Sequence, residues 1–162
     1  MTTGAVALMA LGNNPPSAGP FCLSTYYRLD SVDHALRSRA HQLADRWSGI
    51  DIFFSGTKGG NIERLAEASG LADVADLNCH FVICNGIGTG DGEIQTTERW
   101  QKQSSAWLGQ TSEPVIRICL IGNGVSTLPT DYQLKRLEML LEALCRKFHI
   151  SADSVHLPPD CR

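Results

Sequence analysis

Apolar residues along the chain recur with two distinct periods, and the periods predict the elements. After Ser31, a residue able to cap a helix, Val32, Ala35, Leu36, Ala40, Leu43 and Trp47 recur at helical spacing and predict a helix from Val32 to Arg46. Ile50-Asp51-Ile52-Phe53-Phe54 is a β-rich run closed by Ser55-Gly56, and a shorter helix is expected over Asn61–Ala68. His80-Phe81-Val82-Ile83-Cys84 is almost wholly apolar and of strand length, the pattern of an interior strand covered on both faces. The glycine-rich stretch Gly86–Gly92 leads into Glu93-Ile94-Gln95-Thr96. Its Asp91-Gly92 pair is a hairpin signal, so these two strands are expected to be antiparallel neighbours. Val115–Ile121 reads as another buried strand. Thr130 and Gln133 have capping-box spacing, and Leu134, Leu137, Leu140, Leu141, Leu144 and Phe148 follow as an apolar stripe, which predicts a helix. Val155–Leu157 predicts a final short strand before Pro158-Pro159. The expected fold class is α/β (α+β), a mixed, partly antiparallel sheet flanked by helices.

Length and charge narrow the partners. The chain has 162 residues with 14 Lys and Arg against 17 Asp and Glu, a net charge of −3. That length suits one domain with its own core. With no basic stripe to neutralise phosphates, nucleic acid is not an expected partner. No run approaches the ~20 apolar residues of a membrane span. Residues 12–20, GNNPPSAGP, read as a linker. Met1–Leu11 has an apolar stretch without a basic residue before it, so it is no convincing signal peptide. The expected organisation is an N-terminal segment, flexible or a remnant signal, over 1–30 and a single domain over 31–162.

Six Cys and five His are raw material for a metal site. Their placement argues against one. No CxxC pair occurs, and Cys84, Cys119 and Cys145 sit in apolar runs where a thiol serves as a small buried hydrophobe. Cys79 and His80 are adjacent in an extended run and point to opposite faces. His34 and His41, on one helical face, are roughly 10 Å apart along the axis, too far for two Zn–N bonds of about 2 Å. His149 follows a helix C-terminus, where a cation suits the macrodipole. His156 and Cys161 alone have ligand-like spacing near a chain end, and zinc takes three or four ligands. In the glycine-rich turn Asp91 stands where a dinucleotide fingerprint needs its last glycine, and a strand follows rather than a helix. Trp100 and Trp107, near Arg99, Lys102 and Gln103, can line a carbohydrate or peptide groove; the competing role is core packing.

Asp76-Leu77-Asn78-Cys79-His80-Phe81-Val82-Ile83 resembles the D-[IL]-G-Y-H-F-V-I strand of the zinc-dependent N-acetylmuramoyl-L-alanine amidases, the family that includes the peptidoglycan recognition proteins. The likeness continues through Asn85-Gly86, Gly88–Ile94 and Arg99–Gln103. It resumes at Ile116–Asn123, similar to I-G-I-C-L-V-G-[DN], and at Pro129-Thr130, Gln133-Leu134 and Leu137, similar to P-T-x-x-Q-L-x-x-L. It spans roughly Trp47 to Cys161 in consistent order and implies a mixed sheet with flanking helices. The positions that carry chemistry in that family are altered. The strand ending I-H-H-[ST]-A corresponds to Ile52-Phe53-Phe54-Ser55-Gly56, which puts Phe53 where the first zinc histidine belongs. Cys79 takes the place of the tyrosine that polarises the scissile amide, and Trp107 that of a histidine. In the closing element the ligand histidine falls on Pro158, or on His156 if the alignment shifts, with Cys161 in place of the family cysteine.

Phenylalanine and proline side chains offer a metal no lone pair. The resemblance therefore implies a catalytically degenerate domain with no cofactor, binding peptidoglycan or a muropeptide, or another glycan or peptide, in a cleft near Phe53, Cys79, Arg99, Trp100 and Trp107. It implies a cell-envelope or exported setting. Two alternatives stand beside it. One is an active amidase whose atypical zinc site uses His156 and Cys161. The other is a structural or protein-interaction domain with the cleft filled by Phe53, Phe54 and Trp107.

Overall fold

The computed structural model describes residues 31–41 and 47–158; the linker and leader expectations, residues 42–46 and Cys161 lie outside them. The compact unit Val32–Arg162 is built on a five-stranded mixed sheet whose strands are β1 (Gly49–Phe54), β2 (Phe81–Asn85), β3 (Asp91–Thr96), β6 (Val115–Leu120) and β7 (Val155–His156). Their order across the sheet is β3-β2-β6-β1-β7. Strand β6 is parallel to both β1 and β2, β7 is parallel to β1, and β3 returns antiparallel to β2. The short strands β4 (Ala106–Leu108) and β5 (Thr111–Glu113) form a separate hairpin. The described residues also form helices α1 (Ile62–Ala68), α2 (Glu98–Gln101) and α3 (Asp131–Phe148), besides a helical turn over 31–35.

Strand alternation divides the core in two. Ile50 and Ile52, Phe81 and Ile83, and Ile116, Ile118 and Leu120 point to one face, where Leu137, Leu140 and Leu144 of α3 meet them. Val82, Cys84, Cys119 and Ile121 point to the other, where Leu65 and Ala66 of α1 pack. The first face is covered by a helix of 18 residues and the second by one of 7. At 1.5 Å per residue the shorter helix spans roughly 10 Å. It leaves the β1 end of its face for other groups to fill.

Helix α3 starts at the expected capping box: Thr130 Oγ1 accepts from Gln133 N–H, and Gln133 Oε1 accepts from Thr130 N–H, both at 3.0 Å. The expected stripe needs one correction. Leu134 is exposed, and Gln133 is fully buried in the first turn because its Nε2 donates to the carbonyls of Ile83 and Ile121 at 2.9 and 3.0 Å. Of the helix expected from Val32 to Arg46, the described residues 32–41 are helical through Ala35. Arg37 N–H bonds back to His34 O, an i→i+3 closure that tightens and ends the turn. The hairpin turn is also displaced from Asp91-Gly92, which belong to β3. A register shift between Ile83 and Asn85 pairs Asn85 with Asp91, so the turn spans 86–90. Gly92 is required by its neighbours. Its φ is +73°, and a Cβ there would lie 3.1 Å from the Tyr132 carbonyl oxygen of α3.

Candidate functional site

On the α1 face, β1 presents Asp51 and Phe53 and β6 presents Arg117. The parallel register pairs Asp51 with Arg117 and Phe53 with Cys119. Each charge interrupts an otherwise apolar strand, and the two meet. Arg117 Nε donates to Asp51 Oδ2 at 2.9 Å, with the two side chains 15% and 21% exposed. A pair this enclosed is screened less than a surface bridge, and truncating either partner would strand the other. The Arg117 guanidinium then lies over the Phe53 ring, 4.2 Å from its centroid, a cation–π contact. Arg117 Nη1 also donates to the Asn78 carbonyl at 3.0 Å.

A cavity of about 260 Å³ opens beside this cluster. Phe53, Leu65, Leu71 and Leu77 form apolar wall, Cys79 and Arg117 also line it, and Ser69, Asp76 and Asn78 bring polar atoms. The Cys79 thiol is 1% exposed. Burial pushes its pKa up to about 12 against the pull of Arg117 and Arg99, so it stays protonated and unreactive at neutral pH.

His80, its neighbour, turns to the opposite face. Its ring meets Trp47 edge-on at 5.1 Å and Trp100 at 6.2 Å. Nδ1 accepts from the Arg117 backbone N–H and Nε2 donates to Ser104 O, both at 2.8 Å. Burial lowers its pKa to about 4, so both nitrogens are committed and the ring is neutral.

The remaining expected site residues are dispersed. Trp100 is 0% exposed and packs on Phe81 at 4.5 Å, so the structure places it in the core and corrects its assignment to a cleft. Arg99 braces the chain, with Nε donating to Leu77 O and Nη1 to Ser105 O. Trp107 is 52% exposed on the β4–β5 hairpin. Asn78 bonds both the N–H and the carbonyl of Trp107, at 2.7 and 2.6 Å, which holds that hairpin next to a residue lining the cavity. Neither Arg99 nor Trp107 lines the cavity itself. His156 pairs with Asp51 across β7 and β1, which puts it on the same sheet face as Phe53, at an exposed edge. Pro158 is half-buried.

These side chains do not fit the zinc ion that the family resemblance implies. Phe53 and Pro158 have no donor atom, the Cys79 thiol is held protonated, and both His80 nitrogens are engaged on the other face. Among the described residues His156 remains, one ligand where three are needed. Among the described residues no group of three or more His, Cys, Asp or Glu is placed to hold a metal.

Sequence reasoning missed Arg117 as a site residue, along with Asp51 and the β4–β5 hairpin. The signal for the first two was a lone opposite charge in each of two apolar strands.

No protein-family model and no curated protein matches the sequence. Among solved structures, the endolysine N-acetylmuramoyl-L-alanine amidase LysCS from Clostridium intestinale URNW is similar, at 21% identity, covering 78% of this chain and 79% of that one with a TM-score of 0.47. Among the described residues no helix is long and apolar enough to cross a membrane.

Proposed function

We propose that this chain is a non-hydrolytic domain related to the N-acetylmuramoyl-L-alanine amidases, one that binds a peptidoglycan fragment at the cavity beside Phe53. The observation that carries the reading is the Arg117 guanidinium stacked 4.2 Å from the Phe53 ring. On the motif correspondence, Phe53 stands where the first zinc histidine belongs. A cation over that ring repels a metal ion as well as supplying it no ligand. The cavity next to it keeps room for a ligand, which favours binding over a filled, purely structural core. Asn78, in the cavity wall, bonds the backbone of Trp107, whose exposed indole offers an apolar platform on the adjoining hairpin.

The direct test is retention of the intact chain on insoluble peptidoglycan, run alongside muropeptide digestion monitored by mass spectrometry with and without added zinc. Retention above an albumin control, with no cleavage in either condition, is the expected result. Cleavage that depends on zinc would overturn the non-hydrolytic half, and no retention would overturn the binding half. Trp107→Ala should lower retention while leaving stability within about 0.5 kcal/mol, because the side chain is half in solvent.

A further inference from the structure

We infer that the cavity beside Phe53 takes the carboxylate end of an apolar amino-acid residue, with Arg117 as its anion anchor. This rests on the proposed function only in taking the cavity as a ligand site. Size is the first argument. About 260 Å³ falls below the ~300–1,000 Å³ of pockets that enclose drug-sized ligands. It accommodates one amino-acid residue rather than a disaccharide. The walls are the second: Phe53, Leu65, Leu71 and Leu77 suit an aliphatic side chain.

The third argument is the state of Arg117. A guanidinium carries five N–H donors in a planar fork. Asp51 engages Nε, and the carbonyls of Asn78 and Trp107 engage Nη1. Nη2 has no partner among the described residues. It is not sealed either, since Arg117 lines the cavity and its side chain is 15% exposed. The fork is therefore held in place before any ligand arrives, with its free end accessible, the arrangement that recognises a carboxylate without ordering a flexible cation. The lining carries both signs: Arg117, with Asp51 held on its Nε side, and the exposed Asp76. A carboxylate at the Nη2 side of Arg117 and an ammonium near Asp76 match those charges.

The experiment is a calorimetric or NMR titration of the intact chain with leucine, N-acetyl-leucine and leucinamide. These probes share a side chain and differ in their charged ends. Leucine or N-acetyl-leucine should bind at least about tenfold tighter than leucinamide, the loss expected when a charge-assisted hydrogen bond is removed. Preference for leucine identifies a free amino acid that uses Asp76; preference for N-acetyl-leucine identifies the C-terminal residue of a peptide. Leu71→Trp, which fills the cavity, should abolish the binding, and Arg117→Lys, which keeps the charge but removes the fork, should weaken it about tenfold. Equal binding of leucinamide, or no saturation by either carboxylate at about 10 mM, would overturn the inference. The ligand comparison needs no variant, so it decides even if Arg117→Lys fails to fold. Retention on peptidoglycan without carboxylate selectivity sinks this inference alone. Carboxylate binding by a chain that peptidoglycan does not retain sinks the muropeptide reading alone.

Discussion

Acid should loosen this fold through one side chain, His80. In the folded chain its pKa is lowered from 6.5 to about 4. Burial is the main cause; the nearby Arg99 and Arg117 charges act in the same direction, and the Ser104 carbonyl opposes them. The unfolded chain takes up a proton as pH falls through 6.5, while the folded chain refuses it until about 4. Over that window the unfolded state binds more protons, so stability falls as pH falls. One pKa unit corresponds to about 1.4 kcal/mol, so the loss attributable to His80 reaches about 3 kcal/mol by pH 4. Protonation would also cost the bond from Arg117 N–H, because Nδ1 would lose its lone pair. Urea denaturation at pH 7, 5.5 and 4 measures the effect. Carboxylates titrate over part of the same range, so the relevant quantity is the difference between the natural chain and His80→Gln. The variant should be less stable at pH 7, since it leaves buried partners unmet, and its stability should depend less steeply on pH between 6.5 and 4. Parallel slopes for the two proteins would refute the reasoning, as would an NMR titration of the folded His80 ring with a midpoint near 6.5.

Three further outcomes follow from the packing. Gln133→Leu should cost about 2–3 kcal/mol in chemical denaturation, because the buried Ile121 carbonyl loses its Nε2 donor and the capping box is broken; the Ile83 carbonyl keeps the Ile121 N–H. Thr130→Ala should cost about 1 kcal/mol by the same assay, the usual value of an N-cap. Under native conditions iodoacetamide should leave Cys79, Cys84 and Cys119 unmodified, since all three are buried with raised pKa values, and label them once urea unfolds the chain. Peptide mass spectrometry reads the result, and native labelling of Cys79 would contradict its burial in the cavity wall.

Periodicity carried most of the fold. β1, β2, β6 and α3 each show the period of their element over enough residues to be legible, and the Thr130/Gln133 capping box announced the start of α3. The β4–β5 hairpin escaped because three-residue strands are too short to display a period, and its place is held by side chains from elsewhere, chiefly Asn78. Trp100 escaped for a related reason. An aromatic beside Arg99 and Lys102 reads as groove wall or as core, and the packing of Phe81 and Phe148 around it decides for the core.

By itself, the sequence determined a mixed sheet between helices, and the motif correspondence behind the proposed function sets Phe53 at the place of a metal-binding histidine. Both are local properties: a period along a strand, and the absence of a lone pair on a benzyl side chain. What occupies the site instead was a question for the tertiary structure. Arg117 lies 64 positions beyond Phe53 in the chain, and the parallel register of β1 and β6 puts Arg117 beside Asp51 and over the Phe53 ring. The unequal lengths of α1 and α3 leave that part of the sheet face open to a cavity. Neither consequence can be read one strand at a time, because register and helix coverage arise only when the strands pair and both faces are packed.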